Sequence, residues 1–190
     1  MKSFIIYLLV SLLQQQVALA GELCANLVSK KNWGARTPSQ VDYALIPIKF
    51  VIVHHTVTTE CNSDASCKET LQSIQNYHMD ELDYYDIGYN FLIGGNGKVY
   101  EGTGWHKVGA HAVGYNSRSL GLAFIGDFRD KLPTSAQLTT AKDFLKCAVG
   151  LGELSEDYKL LGAKQVIATV SPGKKLYEEI KKWEHYTNKV

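Results

Sequence analysis

One stretch constrains this chain more than any other: Phe50-Val51-Ile52-Val53-His54-His55-Thr56. Four consecutive β-favouring residues predict a buried central strand, and polar groups at the end of such a strand commonly line a site. An imidazole leaving a core strand is a good metal ligand or proton carrier, so His54 first suggests a hydrolase. A zinc site wants three or four protein ligands, so the partners of His54 decide the function.

The chain has 190 residues, a net charge of +1, 45% hydrophobic and 21% charged residues. That suits one well-cored domain and is short for two. Near-neutral charge argues against nucleic acid as a partner, because phosphate binding needs a basic surface. At the N-terminus, Lys2 precedes an apolar run from Phe4 to Leu13, and Ala18-Leu19-Ala20 forms a small-residue cleavage site. Residues 1–20 are expected to be a signal peptide and 21–190 the secreted domain. The run is too short to span a bilayer, so no membrane anchor is expected.

Four cysteines in an oxidising compartment predict two disulfides, with three connectivities possible. Cys61 and Cys67 flank a polar loop and would close a small ring there. Cys24 and Cys147 would then tie the N-terminus to a late helix. The cysteines lack the paired spacing of a metal knuckle.

Apolar spacing at Leu71, Ile74, Gln75 and His78 predicts a helix from Lys68 to about Met79. The segment 85–93 reads as a second strand, turning at Gly94-Gly95-Asn96-Gly97 into a hairpin partner, Val99 to Glu101. Leu120 to Gly126 is another strand. Thr134 or Ser135 caps a helix carrying Leu138, Ala141, Leu145 and Ala148. Tyr158 to Gly162 is a short strand and Gln165 to Thr169 is extended. Ser171-Pro172 starts a last helix with the serine as N-cap. The expected fold is a single α/β domain, a central mixed β-sheet flanked by three helices.

Several blocks, taken together and in order, resemble one family. They are His54-His55-Thr56 with the following cysteine pair, Asp86-Ile87-Gly88-Tyr89-Asn90-Phe91, Val99-Tyr100-Glu101-Gly102, Gly109-Ala110-His111 and Ser171-Pro172-Gly173-x-x-Leu176-Tyr177. They look like the peptidoglycan recognition proteins, relatives of phage-lysozyme-type N-acetylmuramoyl-L-alanine amidases. The resemblance runs from Cys24 onward and is closest to the short secreted insect form. It implies an amidase-like fold, and in catalytic members a zinc held by the histidine at 54, a histidine after a late glycine, and a cysteine before Pro-Gly. A tyrosine at 89 assists catalysis there. Here Gly162-Ala163-Lys164 puts alanine in the second ligand position and Ser171 replaces the cysteine.

One imidazole, a methyl group and a neutral hydroxyl cannot hold zinc well, and Lys164 adds a repelling cation. Amidase activity, zinc and any other cofactor are therefore not expected. The resemblance implies a groove for a muramyl stem peptide floored by His54, Thr56, Tyr89, Trp105, His111, Asn116, Thr169 and Ser171. It also implies an innate-immune receptor in haemolymph that binds bacterial peptidoglycan, of the lysine type in Gram-positive bacteria. Its partners would be a glucan-binding-type co-receptor and a serine protease, in a cascade leading to Toll signalling or prophenoloxidase activation. Arg118 offers a competing feature, since it would suit the extra carboxylate of a diaminopimelate stem. An alternative function is a stem-peptide carboxypeptidase using Ser171 and His54, which requires the two side chains within hydrogen-bond reach.

Overall fold

The computed structural model describes Cys24 and residues 26–189; the expected signal peptide, 1–20, lies outside the described residues. Six strands form one mixed sheet: β1 (Leu27–Val28), β2 (Ile48–His55), β3 (Phe91–Ile93), β4 (Val99–Glu101), β5 (Ser119–Phe124) and β6 (Leu154–Gly162). Their order is β1-β4-β3-β5-β2-β6. Among the described strands only the β3–β4 pair is antiparallel; β2 lies between β5 and β6 and is parallel to both. The expected central strand is thus central, and Val51, Ile52 and Val53 are fully buried.

Alternation along β2 divides the molecule into two layers. Val51 and Val53 join Phe91, Leu122 and Phe124 in a core covered by α3 (Ser135–Gly150) and α4 (Lys174–Ile180). The other face is covered by α2 (Asp64–Asn76), whose Cys67, Leu71 and Ile74 pack on Leu92 and Ala123. A single-turn helix, α1 (Lys30–Trp33), buries Trp33 in the same layer. The disulfides are Cys24–Cys147 and Cys61–Cys67.

Four local expectations change. The helix expected from Lys68 begins inside the cysteine loop, because Ser63 and Ser66 cap it reciprocally. It runs on through a wider turn, Tyr77–Glu81. The strand expected over 85–93 is ordered as strand only from Phe91. Upstream, the Asp86 carboxylate takes Lys30, the Gln75 amide (2.7 Å) and the Ile87 N–H (2.7 Å), which diverts the backbone from a ladder.

Gln165 to Thr169 is not extended: a 3-10 turn at Ala163–Gln165 leads into bends. Ser171 is not the cap of the last helix. Its Oγ accepts the backbone N–H of His55 at 3.1 Å, and the cap position falls to Gly173, whose φ is 89°.

Candidate ligand site at the end of the central strand

His54, the penultimate residue of β2, lies on the α2 face and is 3% exposed. Its Nε2 lies 3.1 Å from His111 Nδ1, with the two rings nearly perpendicular at 82°. His111 reaches this position through two local devices. Asn116 Oδ1 accepts the N–H groups of His111 (2.9 Å) and Ala112 (2.7 Å), which fixes the loop. The ring itself rests on Gly121, where a Cβ would come within 2.5 Å of it. Tyr89 completes the cluster at 5.3 Å from His54, and His78 sits 5.6 Å from Tyr89. His78 Nδ1 accepts the Gly88 N–H at 2.9 Å, fixing the bend that carries Tyr89.

Burial governs the protonation of this cluster. Desolvation holds His54 well below its ordinary value, with the His111 and His55 rings as lesser causes. Desolvation also pulls His111 to about 4 and His78 to about 4. Burial pushes the Tyr89 phenol up to about 12. At neutral pH the site is therefore uncharged, with imidazoles and a phenol offered for hydrogen bonding.

The residues flanking His54 decide whether it is a metal centre. Val53 pairs with Gly162, so Ala163 stands at the register position beside His54. Its methyl group is fully buried against Ile52 and Ala112. Ser171 Oγ is engaged by the His55 N–H, and His54 Nε2 by His111. Among the described residues no three His, Cys, Asp or Glu side chains converge on a metal-sized site. The zinc that the family implies does not fit a set of one imidazole, a methyl and a hydrogen-bonded hydroxyl.

Thr56 and Thr169 lie beside this group. Thr56 Oγ1 accepts the Gly126 N–H (3.0 Å) and pairs with Thr58 Oγ1 (2.7 Å), while Thr169 Oγ1 accepts the Ser171 N–H (3.2 Å). Among the described residues Ser171 Oγ has no hydrogen bond to His54. The Ser/His pair needed by a carboxypeptidase is not formed.

Trp105 is placed elsewhere. It packs on Phe91 (4.3 Å) and Phe144 (5.2 Å), in the core on the opposite face of the sheet. Arg118 stacks 4.2 Å over the Tyr115 ring and 5.4 Å from Phe50, near the start of β2, about 13 Å of strand from His54.

His78, which its helical spacing puts on or beside the inner face of the helix, is half-buried at the cluster. Val57, at the rim after Thr56, holds φ 56°, a strained value for a β-branched residue, and no sequence signal marks it. Val57, Val113 and Val170, next in sequence to Thr56, Ala112 and Ser171, are exposed. A cleft of about 230 Å³, lined by Tyr85, Val108 and Gly109, adjoins it through Asn116.

The model of the N-acetylmuramoyl-L-alanine amidase family matches residues 44–174. Peptidoglycan-recognition protein 1 of Holotrichia diomphalia is 54% identical over 168 residues, 88% of this chain and 85% of that protein. This chain belongs to the peptidoglycan-recognition protein family.

Within that family, the solved structure of Drosophila peptidoglycan recognition protein SA superposes with a TM-score of 0.84 at 53% identity, over 85% of this chain and 93% of that one. Peptidoglycan recognition protein LE, solved with tracheal cytotoxin, a monomeric diaminopimelic acid-type peptidoglycan, gives 0.85 at 38% identity, over 87% and 98%. The amidase-like α/β fold expected from the sequence is the fold found.

Proposed function

We propose that this peptidoglycan-recognition protein is a secreted receptor that binds the muramyl stem peptide of bacterial peptidoglycan without hydrolysing it. The observation that carries the reading is the uncharged His54–His111–Tyr89 cluster standing beside a buried methyl group at Ala163. Such a site keeps donors and acceptors for amides and sugar hydroxyls. It lacks the Lewis acid that would activate water against an amide. Engagement of Ser171 by a backbone N–H disfavours the serine-dependent carboxypeptidase.

The resemblance to the short secreted insect form supports a lysine-type preference, and Arg118, stacked by its face on Tyr115 and Phe50, keeps its edge N–H groups for the competing diaminopimelate carboxylate. A repeating ligand clusters its receptors, which gives binding an output through a co-receptor and a serine protease in haemolymph, towards Toll signalling or prophenoloxidase activation.

The test is pull-down of the purified, metal-analysed protein by both peptidoglycan types, with chromatography of released fragments. Capture by the lysine type with no fragments and no stoichiometric zinc is expected. Cleavage at the lactyl-amide bond would overturn the reading. Fragments from stem-peptide cleavage that vanish in Ser171→Ala would replace it with the carboxypeptidase.

A further inference from the structure

Hydrogen bonds have a direction, and in the His54 cluster that direction is fixed from one end. Ser119 opens β5 and is 1% exposed. Its hydroxyl donates to the Tyr115 carbonyl at 2.8 Å, so Oγ keeps only lone pairs for a second neighbour. That neighbour is His111 Nε2, at 3.5 Å. The Ser119 backbone carbonyl is a further acceptor for the same ring. A ring nitrogen that meets acceptors alone carries the proton.

A neutral imidazole has one N–H and one lone pair, so His111 Nδ1 is bare and can only accept. The 3.1 Å contact between His111 Nδ1 and His54 Nε2 is then made by a proton on His54 Nε2. That leaves a lone pair on His54 Nδ1, which has no hydrogen-bond partner among the described residues. The atom is not sealed in the core. Among the described residues the only buried side-chain nitrogen or oxygen without a partner is His55 Nε2. The relay from Tyr115 through Ser119 and His111 therefore ends on an open acceptor.

We propose that His54 Nδ1 receives a neutral hydrogen-bond donor of the ligand, an amide N–H of the stem peptide, and that Ser119, acting through His111, sets this polarity. The identity of the ligand rests on the receptor reading above, whereas the polarity comes from the protein's own hydrogen bonds. A carbonyl or carboxylate oxygen would bring a second lone pair against the first. An ammonium group would have to shed its water beside uncharged rings. Tyr89, its ring centre 5.3 Å from that of His54, offers the opposite sense: its phenol keeps its proton at neutral pH and suits the carbonyl of a neighbouring peptide unit.

Proton–nitrogen correlation spectra of the full-length secreted protein, with isotope-labelled histidine, read which nitrogen carries each proton. His54 and His111 should both be protonated on Nε2 and bare on Nδ1. The probe is a soluble muramyl tripeptide, N-acetylmuramyl-L-alanyl-D-isoglutaminyl-L-lysine. Its binding should shift the His54 Nδ1 resonance towards that of a hydrogen-bonded acceptor, without protonating the atom. Depsipeptide analogues, in which an ester oxygen replaces one amide N–H at a time, should include one that binds about tenfold more weakly. Ser119→Ala should let part of the His54 population carry its proton on Nδ1 and weaken binding about twofold, since only the bare form accepts. A serine with a merely structural role would lower the melting temperature and leave the protons where they were.

A proton on His54 Nδ1 in the free protein would overturn the proposal. So would an Nδ1 resonance unmoved by bound tripeptide, equal affinity of all the analogues, or unmoved protons in Ser119→Ala. If the tripeptide does not bind at all, the receptor reading falls and the proposal falls with it. Binding without the Nδ1 response overturns the proposal alone.

Discussion

Replacing Gly121 by alanine tests how the ligand site is assembled. The backbone there is ordinary strand and accepts alanine, so any effect comes from the added methyl group. That methyl would stand 2.5, 2.6 and 2.8 Å from His111 Cδ2, Cγ and Nε2, where ordinary contacts begin at 3.4 Å. β5 cannot give way, because Gly121 donates to Asn90 Oδ1 (2.8 Å) and accepts from the Asn90 N–H (3.0 Å) between two paired strands. The imidazole must therefore move by about 1 Å, enough to break its 3.1 Å contact with His54.

Overpacking of this kind costs about 1–3 kcal/mol. For a domain of this size that lowers the melting temperature by roughly 2–12 °C. Peptidoglycan capture should fall with it. The reasoning is specific to the ring, so in a His111→Ala background the extra methyl should be nearly neutral. Thermal unfolding of the four proteins in a double-mutant cycle measures the coupling, expected at about 1–3 kcal/mol. Additivity within about 0.5 kcal/mol would refute the account.

Acid should destabilise the fold. His54, His78 and His111 are all held below their ordinary value of 6.5, so as pH falls the unfolded chain takes up protons first. Stability is fully present above pH 6.5 and is lost towards about 4, where His78 and His111 protonate within the fold. His111 alone should account for on the order of 2 kcal/mol by pH 5. Denaturant melts at pH 7 and pH 5 check this, and an unchanged midpoint in the wild type would contradict it.

The disulfides should differ in weight. Cys24–Cys147 closes a separation of 123 residues and Cys61–Cys67 one of 6, so loop entropy assigns about 5 and about 2 kcal/mol. Paired Cys→Ala variants should rank in that order by midpoint, and a reversed order would show that the loop model fails here.

The central strand was readable because Phe50 to Val53 are apolar without interruption, and the caps at Thr134 and the turn at Gly94–Gly97 are local chemistry. The alanine and serine in the ligand positions were readable by resemblance. Ser171 misled because Ser-Pro reads as a helix start, whereas its hydroxyl is claimed by a residue 116 positions earlier in the chain. Trp105 misled in the same way. It precedes His111 by six positions, but its ring packs on Phe144 of α3.

Local order thus follows from the chain itself: strand and helix periods, caps, cysteine number and the residue types at 163 and 171 all depend on residue type or near neighbours. The faces do not. Whether His54 or Trp105 meets ligand or core depends on sheet register and on which layer covers each side. Those are set by contacts between residues far apart in sequence, so only the folded molecule brings His111 to His54 and carries the Trp105 ring to Phe144.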